Sequence, residues 1–318
     1  MEAPSLSIKA PVDSLAEAAA VIDAGADELF CAVRLGATSC SCQRAEPSEE
    51  KVSLSGPDEL AALVALAHGR GIKVHVALND PRPSVAALAV IRASLPRLQE
   101  CGVDGVIVSN LAELRLVRAT TTLPVVAGSY FSAINPEAVA FLERLGVESV
   151  FLERQIARAD LRALAAARPR VALGAFVMAT ACRSLALYCH RQLPPERPDD
   201  RVVHWCQLPL GVAAGEGAPP PAPEALARVA RRLRMPRSSC GLCALPALAT
   251  HGVTIAKIVG RGHPTEVKVR HVHMVRAARD ALAAAPAGAD YFAAARALHR
   301  DHFQRPCTPD DCYYPHLH

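Results

Sequence analysis

Apolar positions along the chain fall into one repeated grammar. Four segments show it most clearly: AGADELF (24–30), CGVDGVIV (101–108), LGVESVFL (145–152) and HGVTIAKIV (251–259). Each follows an Ala/Leu-rich stretch with helical spacing and carries a glycine where that stretch ends. Glycine closes a helix there because it adopts the left-handed conformation without a Cβ penalty. The β-branched run that follows lacks polar alternation and reads as a strand buried on both faces.

Extending this grammar predicts strands near 5–10, 27–33, 73–79, 105–109, 123–128, 149–153, 170–178 and 253–259. Helices are predicted over 14–24, 57–69, 84–100, 111–119, 135–144, 158–167, 244–251 and 265–284. Ser14 with Glu17 predicts a capping box for the first helix. Asn135-Pro136-Glu137 predicts another helix start, with proline at the first position. Strand and helix alternating over about 280 residues place the chain in the α/β class, as a (β/α)8 TIM-like barrel. A doubly wound open sheet is the alternative.

One interval breaks the rhythm. Residues 179–252, between strands 7 and 8, hold a charged loop (PPERPDDR), a Pro-rich stretch (GEGAPPPAPEA) and a basic helix around 223–234. A long insertion at the C-terminal end of a barrel strand sits where barrels place their chemistry. The organisation expected is a barrel domain over 1–285, with this insertion, and a C-terminal helix and Cys/His-containing tail over 286–318.

Composition sharpens the picture in two ways. Aromatic residues make up only 4% against 51% apolar in total, so the core must be built from small aliphatic side chains. The net charge of +4 does not by itself indicate nucleic acid. There is no apolar run of the length a membrane span needs, and MEAPSLSIKAPVDS lacks the basic start and apolar core of a leader. A cytoplasmic protein is expected. In that compartment eleven cysteines argue for metal or redox chemistry rather than disulfides. Cys31 and Cys101 read as small buried hydrophobes.

The chemistry concentrates in ATACRSLALYCHRQLPPERPDDRVVHWCQLPL and the CGLC beyond it. Cys182, Cys189 and Cys206 are followed by Cys240 and Cys243. Thiolates meeting at a barrel mouth suit zinc or an iron–sulfur cluster, and spacing alone does not separate the two. The lack of a paired CxxC…CxxC lowers the zinc-ribbon reading. Polar residues at predicted strand ends, His75, Asn79, Ser129, Lys257 and Arg261, would face the barrel interior or mouth. Lys257 and Arg261 alternatively plug the barrel as a structural ion pair. In the tail, Cys307 and Cys312 with His299, His302, His316 and His318 match no common zinc spacing. Arg228, Arg231, Arg232, Arg234 and Arg237 form either a solvated face or an RNA-contact patch. There is no GxSxG and no HExxH, so the residues do not point to a serine or zinc protease.

GAFVMATACRSLALYC resembles the signature of the peptidase U32 family, through Phe176, Cys182 and Cys189. VHVALN (74–79), LPVVAGSYFSAINPEAVAFLERLGVESVFLER (123–154) and HGVTIAKIVGRG (251–262) resemble further family segments, the last through Lys257, Gly260 and Arg261. The likeness spans about residues 5–285. The signature's Glu is Gly174 here, its first Gly is Ala179, and the Gly before its second Cys is Leu187. The resemblance implies a barrel holding a 4Fe–4S cluster on four cysteines. Cys182, Cys189 and Cys206 match the first three ligands, and the fourth falls on Cys243, with Cys240 or a cysteine of the CSC at Cys40 and Cys42 as alternatives. It further implies oxygen-independent hydroxylation of a small aromatic metabolite or an RNA base, with a prephenate-like dicarboxylate as oxygen donor. Arg261 and its strand-end companions would then hold the donor's carboxylates. The other reading it allows is a non-catalytic, cluster-bearing partner of a homologous barrel.

Overall fold

The structure is a computed structural model that describes residues 6–35, 53–80, 83–180, 182, 185–186, 192–193, 203–204, 222–233, 239–284 and 289–317. Strands β1 (Ser7–Pro11), β2 (Glu28–Cys31), β3 (Lys73–Leu78), β4 (Gly105–Val108), β5 (Val125–Ala127), β6 (Ser149–Phe151) and β7 (Ala172–Ala179) alternate with helices. The helices are α1 (Leu15–Asp23), α2 (Pro57–His68), α3 (Val85–Glu100), α4 (Leu111–Thr120), α5 (Pro136–Arg144) and α6 (Arg158–Ala167). The insertion contributes the antiparallel pair β8 (Gln192–Leu193) and β9 (Val203–His204), then α7 (Pro223–Leu233), β10 (Ser239–Cys240) and α8 (Leu245–Thr250). The chain then runs through β11 (Val253–Ile258), α9 (Thr265–Ala284) and α10 (Ala289–Phe303).

Parallel pairing passes from β1 through β6 to β7, on to β11, and back to β1. The ring is closed, which decides for the (β/α)8 barrel and against the open sheet. Closure leaves no unpaired barrel edge, and the helices cover the outer face. The four repeated glycines stand at helix ends with positive φ: Gly25 at 109°, Gly102 at 75°, Gly146 at 76° and Gly252 at 88°. Each reverses the chain so that the apolar run behind it enters the sheet.

The two predicted helix starts fare differently. Asn135 Oδ1 accepts from the Ala138 N–H at 2.8 Å, as a cap should. Ser14 makes no cap bond. Glu17 instead accepts from Lys268 Nζ at 2.8 Å and from the Asp13 N–H. Lys268 is only 1% exposed and also pairs with Asp13. A buried ammonium needs its counter-charges far more than a helix needs one cap bond, so it draws Glu17 away from the capping box.

The inner wall is set by register. Lys257 lies beside Lys9 on one flank and Phe176 on the other, Phe30 lies beside His75, and Phe151 beside Gly174. Gly174 stands where the family-like signature has Glu. A Cβ there would come within 2.6 Å of Phe151 Cδ1, so the Phe151 ring occupies the space a longer side chain would need. At the C-terminal ends of β3 and β4, buried Glu113 accepts from the Ser109 N–H at 2.7 Å and the Asp80 N–H at 3.3 Å. Burial pushes its carboxyl up to about 8 despite those bonds.

Two outcomes follow. Gly174→Ala should cost about 1–3 kcal/mol through overpacking, and Phe151→Leu in the same chain should restore part of it, read as melting temperatures of the three variants. The Glu113 carboxyl keeps its proton in the folded chain at pH values where the unfolded chain releases it. Stability should therefore fall as pH rises from about 4.5 to about 8, where the group ionises in the fold. Urea midpoints at pH 5 and pH 8 should differ less for Glu113→Gln than for the wild type.

Candidate functional site at the barrel mouth

The barrel interior holds charge. Lys9 is fully buried and its ammonium lies 2.8 Å from Glu28 Oε2. His75 Nδ1 stands 3.8 Å from the same oxygen. Lys257 Nζ sits over three rings, 4.0 Å from the Phe30 centroid, 4.5 Å from Phe151 and 5.8 Å from Phe176. The ring faces supply negative potential to an ammonium taken out of water. Burial holds the His75 imidazole well below its ordinary pKa, and the Lys9 and Lys257 ammoniums push it further down. His75 is thus a neutral ring. Burial likewise lowers the Lys9 pKa, against the opposing pull of Glu28.

Of the strand-end residues predicted from sequence, His75 and Lys257 meet in this interior. Asn79 follows β3, and its Oδ1 would lie 3.3 Å from a Cβ on Gly128, next to buried Ser129. Arg261 follows β11 between Gly260 and Gly262, both at positive φ. That loop is tied down by the Gly262 N–H donating to Asp13 Oδ2 at 2.6 Å. The five therefore divide between the barrel interior and the C-terminal rim.

The cysteines also divide. Cys189, Cys206, Cys40 and Cys42 lie outside the described residues, as do Arg234 and Arg237 of the basic cluster. Cys182 follows β7, and its carbonyl accepts from Gln155 Nε2 at 3.0 Å. Cys240 lies beside Met178, because β10 returns antiparallel to the end of β7. The Tyr313 hydroxyl bonds the carbonyls of Met178 at 3.3 Å and Thr180 at 2.5 Å. Burial pushes that phenol's pKa up, and Arg154, Cys182 and Cys240 are all near enough to act on it. Cys182 and Cys240 thus share one neighbourhood at the mouth.

Cys243 lies near enough to Cys240 to act on its thiol. With Arg296, Arg300, Cys307, Thr308 and Cys312 it lines a cavity of about 350 Å³ between the barrel and the C-terminal segment. That segment is fixed by a parallel backbone β-bridge at Cys240 and Cys312, whose thiols are not disulfide-bonded, and by the Tyr313 N–H donating to Cys240 O at 3.0 Å. Of the tail histidines, His318 lies outside the described residues. His302 stacks 5.0 Å from His271, and His316 Nε2 lies 2.8 Å from Ile156 O. Burial is the leading cause of raised thiol pKa at Cys240, Cys243 and Cys307, so none of these is an activated nucleophile. Among the described residues no group of three or more His, Cys, Asp or Glu side chains is arranged to hold a metal ion. Cys31 and Cys101 are buried in the core as expected.

Sequence reasoning missed Lys9, Glu28, Glu153, Arg154 and Tyr313. A lysine inside the otherwise apolar IKAP strand was the available signal for the first. Glu153 is fully buried and accepts from the Ala186 N–H at 2.9 Å, pinning the Cys182 loop to the end of β6. Nothing in FLER alone announces that contact.

The model of peptidase family U32 matches residues 13–315. No curated protein matches the chain significantly. Among solved structures, the U32 peptidase Mk0906 is 17% identical, with 82% of this chain and 95% of that one covered and a TM-score of 0.49. DHDPS from Cyanidioschyzon merolae with lysine bound is 10% identical, covering 98% and 87%, at a TM-score of 0.48. These structural likenesses are too distant to bear on activity. The family match spans nearly the whole chain, and the chain belongs to peptidase family U32.

Proposed function

We propose that this member of peptidase family U32 is an iron–sulfur protein whose barrel mouth acts on a small molecule. The ligand set is Cys182, Cys189, Cys206 and one thiol of the CGLC step. Tyr313 carries the reading: its N–H donates to Cys240 O at 3.0 Å and its hydroxyl to Thr180 O at 2.5 Å, two residues before Cys182, so one residue ties both cysteine-bearing segments together. Cys240 is taken as the fourth ligand, with nearby Cys243, the choice made from sequence, as the alternative. The donor chemistry fits. Burial, with Cys243, Cys307 and Cys312 nearby, pushes the Cys240 thiol up, and a bound cation would favour its thiolate. Bound at these residues, a 4Fe–4S cluster would supply one-electron chemistry or a Lewis-acidic iron.

The chain's own residues have definable parts in this reading. Glu153 and Gln155 hold the loop that carries Cys182, through the Ala186 N–H and the Cys182 carbonyl. Tyr313 fixes the strand end beneath it. Neutral His75 offers a hydrogen bond without charge, while Lys257 and Arg261 supply cations for an anionic co-substrate. Oxygen-independent hydroxylation of a small aromatic metabolite or an RNA base, with a prephenate-like dicarboxylate as oxygen donor, is consistent with these parts. The arginines that would contact RNA lie on α7 and beyond it, and only the backbone of α7 over Pro223–Leu233 bears on that patch. Peptide hydrolysis is disfavoured by thiols whose pKa is raised rather than lowered.

Anaerobic purification should yield a brown protein with about four irons and about four sulfides per chain. Cys182→Ala, Cys189→Ala, Cys206→Ala and Cys240→Ala should each lose the iron, and Cys243→Ala should keep it. The opposite result for the last two moves the fourth ligand to Cys243. A colourless protein with stoichiometric zinc sinks the cluster. Iron retained without turnover until a homologous barrel is added would identify the non-catalytic partner reading.

A further inference from the structure

Four imidazoles gather where α10 lies on α9 and on the loop after β11. His271 of α9 stacks against His302 of α10, with ring centroids 5.0 Å apart, and against His263 of the loop at 6.1 Å. Phe303 closes the group, 4.5 Å from His302 and 4.7 Å from His299. His271 and His299 are only 4% and 1% exposed, and the other two rings are half-buried. The buried Nδ1 atoms of His271 and His263 have no hydrogen-bond partner.

A neutral ring tolerates such a place, whereas a protonated one would be a charge taken out of water. The charges facing each ring do not compensate. Arg270 acts on His271 and His302, and each of these also faces other imidazoles. Lys268 faces His263, and the carboxylate on that side, Asp13, is already engaged by Lys268 and the Gly262 N–H. Asp311 and the Pro306 carbonyl favour a proton on His299, but burial and Arg305 oppose it, and Arg305 pairs with Asp311 at 3.0 Å. Burial leads in holding all four rings below their ordinary 6.5, His271 down to about 3.

The segment these rings pack down is the one that covers the cysteines. At its start, α10 is tied by the Tyr291 hydroxyl donating to Leu242 O at 2.7 Å. Beyond Phe303 the chain reaches Tyr313, which bonds Cys240 O and Thr180 O. Between those two ties, the end of α10 rests on α9 through rings that have to stay neutral.

We propose that these four imidazoles form an acid-sensitive latch: taking up protons, they release the end of α10 and the C-terminal segment from the barrel and uncover the cysteine-bearing segments beneath. The latch follows from the packing of α10 on α9 and not from the iron–sulfur reading, so it stands or falls independently of the ligand set.

Each ring binds a proton more readily in the open segment than in the closed one. Closure is therefore at full strength above about pH 6.5 and weakens as the pH falls below it, by up to about tenfold per pH unit for each such ring. Backbone hydrogen exchange reads the opening in the full-length, anaerobically purified protein at about pH 7.5 and about pH 5.5, corrected for the intrinsic pH dependence of exchange. Protection over 289–317 should fall at least about tenfold at the lower pH, while strands β1 to β7 keep theirs. His271→Phe with His302→Phe keeps rings in place without a site for the proton, and should hold the fall to within about threefold. His273→Phe, an exposed position on the same helix, should leave the fall unchanged. If the double variant does not fold, each single variant should still reduce the fall several-fold. The proposal is overturned if protection over 289–317 does not change with pH, if the full fall persists in the variants, or if the barrel strands lose protection together with the segment. Opening that occurs only in step with loss of iron would assign the effect to the metal and likewise end it.

Discussion

Closing parallel strands into a ring takes every inward side chain out of water, and this chain points ammonium groups inward. Lys9 survives there because Glu28 is within 2.8 Å, and Lys257 because three phenyl faces surround it. The scarcity of aromatic residues makes that placement informative. With phenylalanine so rare in the sequence, Phe30, Phe151 and Phe176 are all spent beside the buried cations Lys9, Arg154 and Lys257. Gly174 belongs to the same arrangement, since it clears the space the Phe151 ring fills. The interior is therefore a polar and aromatic chamber inside an aliphatic shell.

The rim is organised by carboxyl groups that act on backbone. Glu113 gathers the ends of β3 and β4, Asp13 holds the loop that presents Arg261, and Glu153 holds the loop after β7. Each bonds N–H groups that no strand partner satisfies, because the sheet ends there. Such bonds fix loops that would otherwise be free to move, and these loops carry the polar groups of the mouth. The C-terminal segment adds a second fixing element. Tyr313 enters beneath the end of β7, and the backbone of Cys312 bridges that of Cys240, so this segment helps shape the neighbourhood of Cys182.

The family label and the chemistry of the residues point in different directions. A cysteine nucleophile needs a lowered pKa, and burial raises the thiols of Cys240, Cys243 and Cys307. None of these described thiols is thus an activated nucleophile, and the Arg154 guanidinium near them lies over Phe176 and against Tyr313.

Local physics determined the fold. Helical spacing, a glycine at the ends of α1, α3, α5 and α8, and uninterrupted apolar runs placed each of the barrel strands within a few residues, because backbone preference and burial pattern agree at those positions. Cysteine spacing singled out the insertion, since thiols in such density are a compositional signal. Side-chain partnerships were not legible. Ser14 with Glu17 read as a cap, yet a lysine some 250 residues away took the carboxylate. Cys243 was the choice within CGLC, and only the return of β10 along β7 set Cys240 beside Met178 while Cys243 lines the tail cavity. Arg154 drew no notice in FLER, because only the fold lays it over Phe176 and against Tyr313. Sequence encodes what each residue prefers locally, whereas closure of the ring decides which distant charges meet and which are left unmatched.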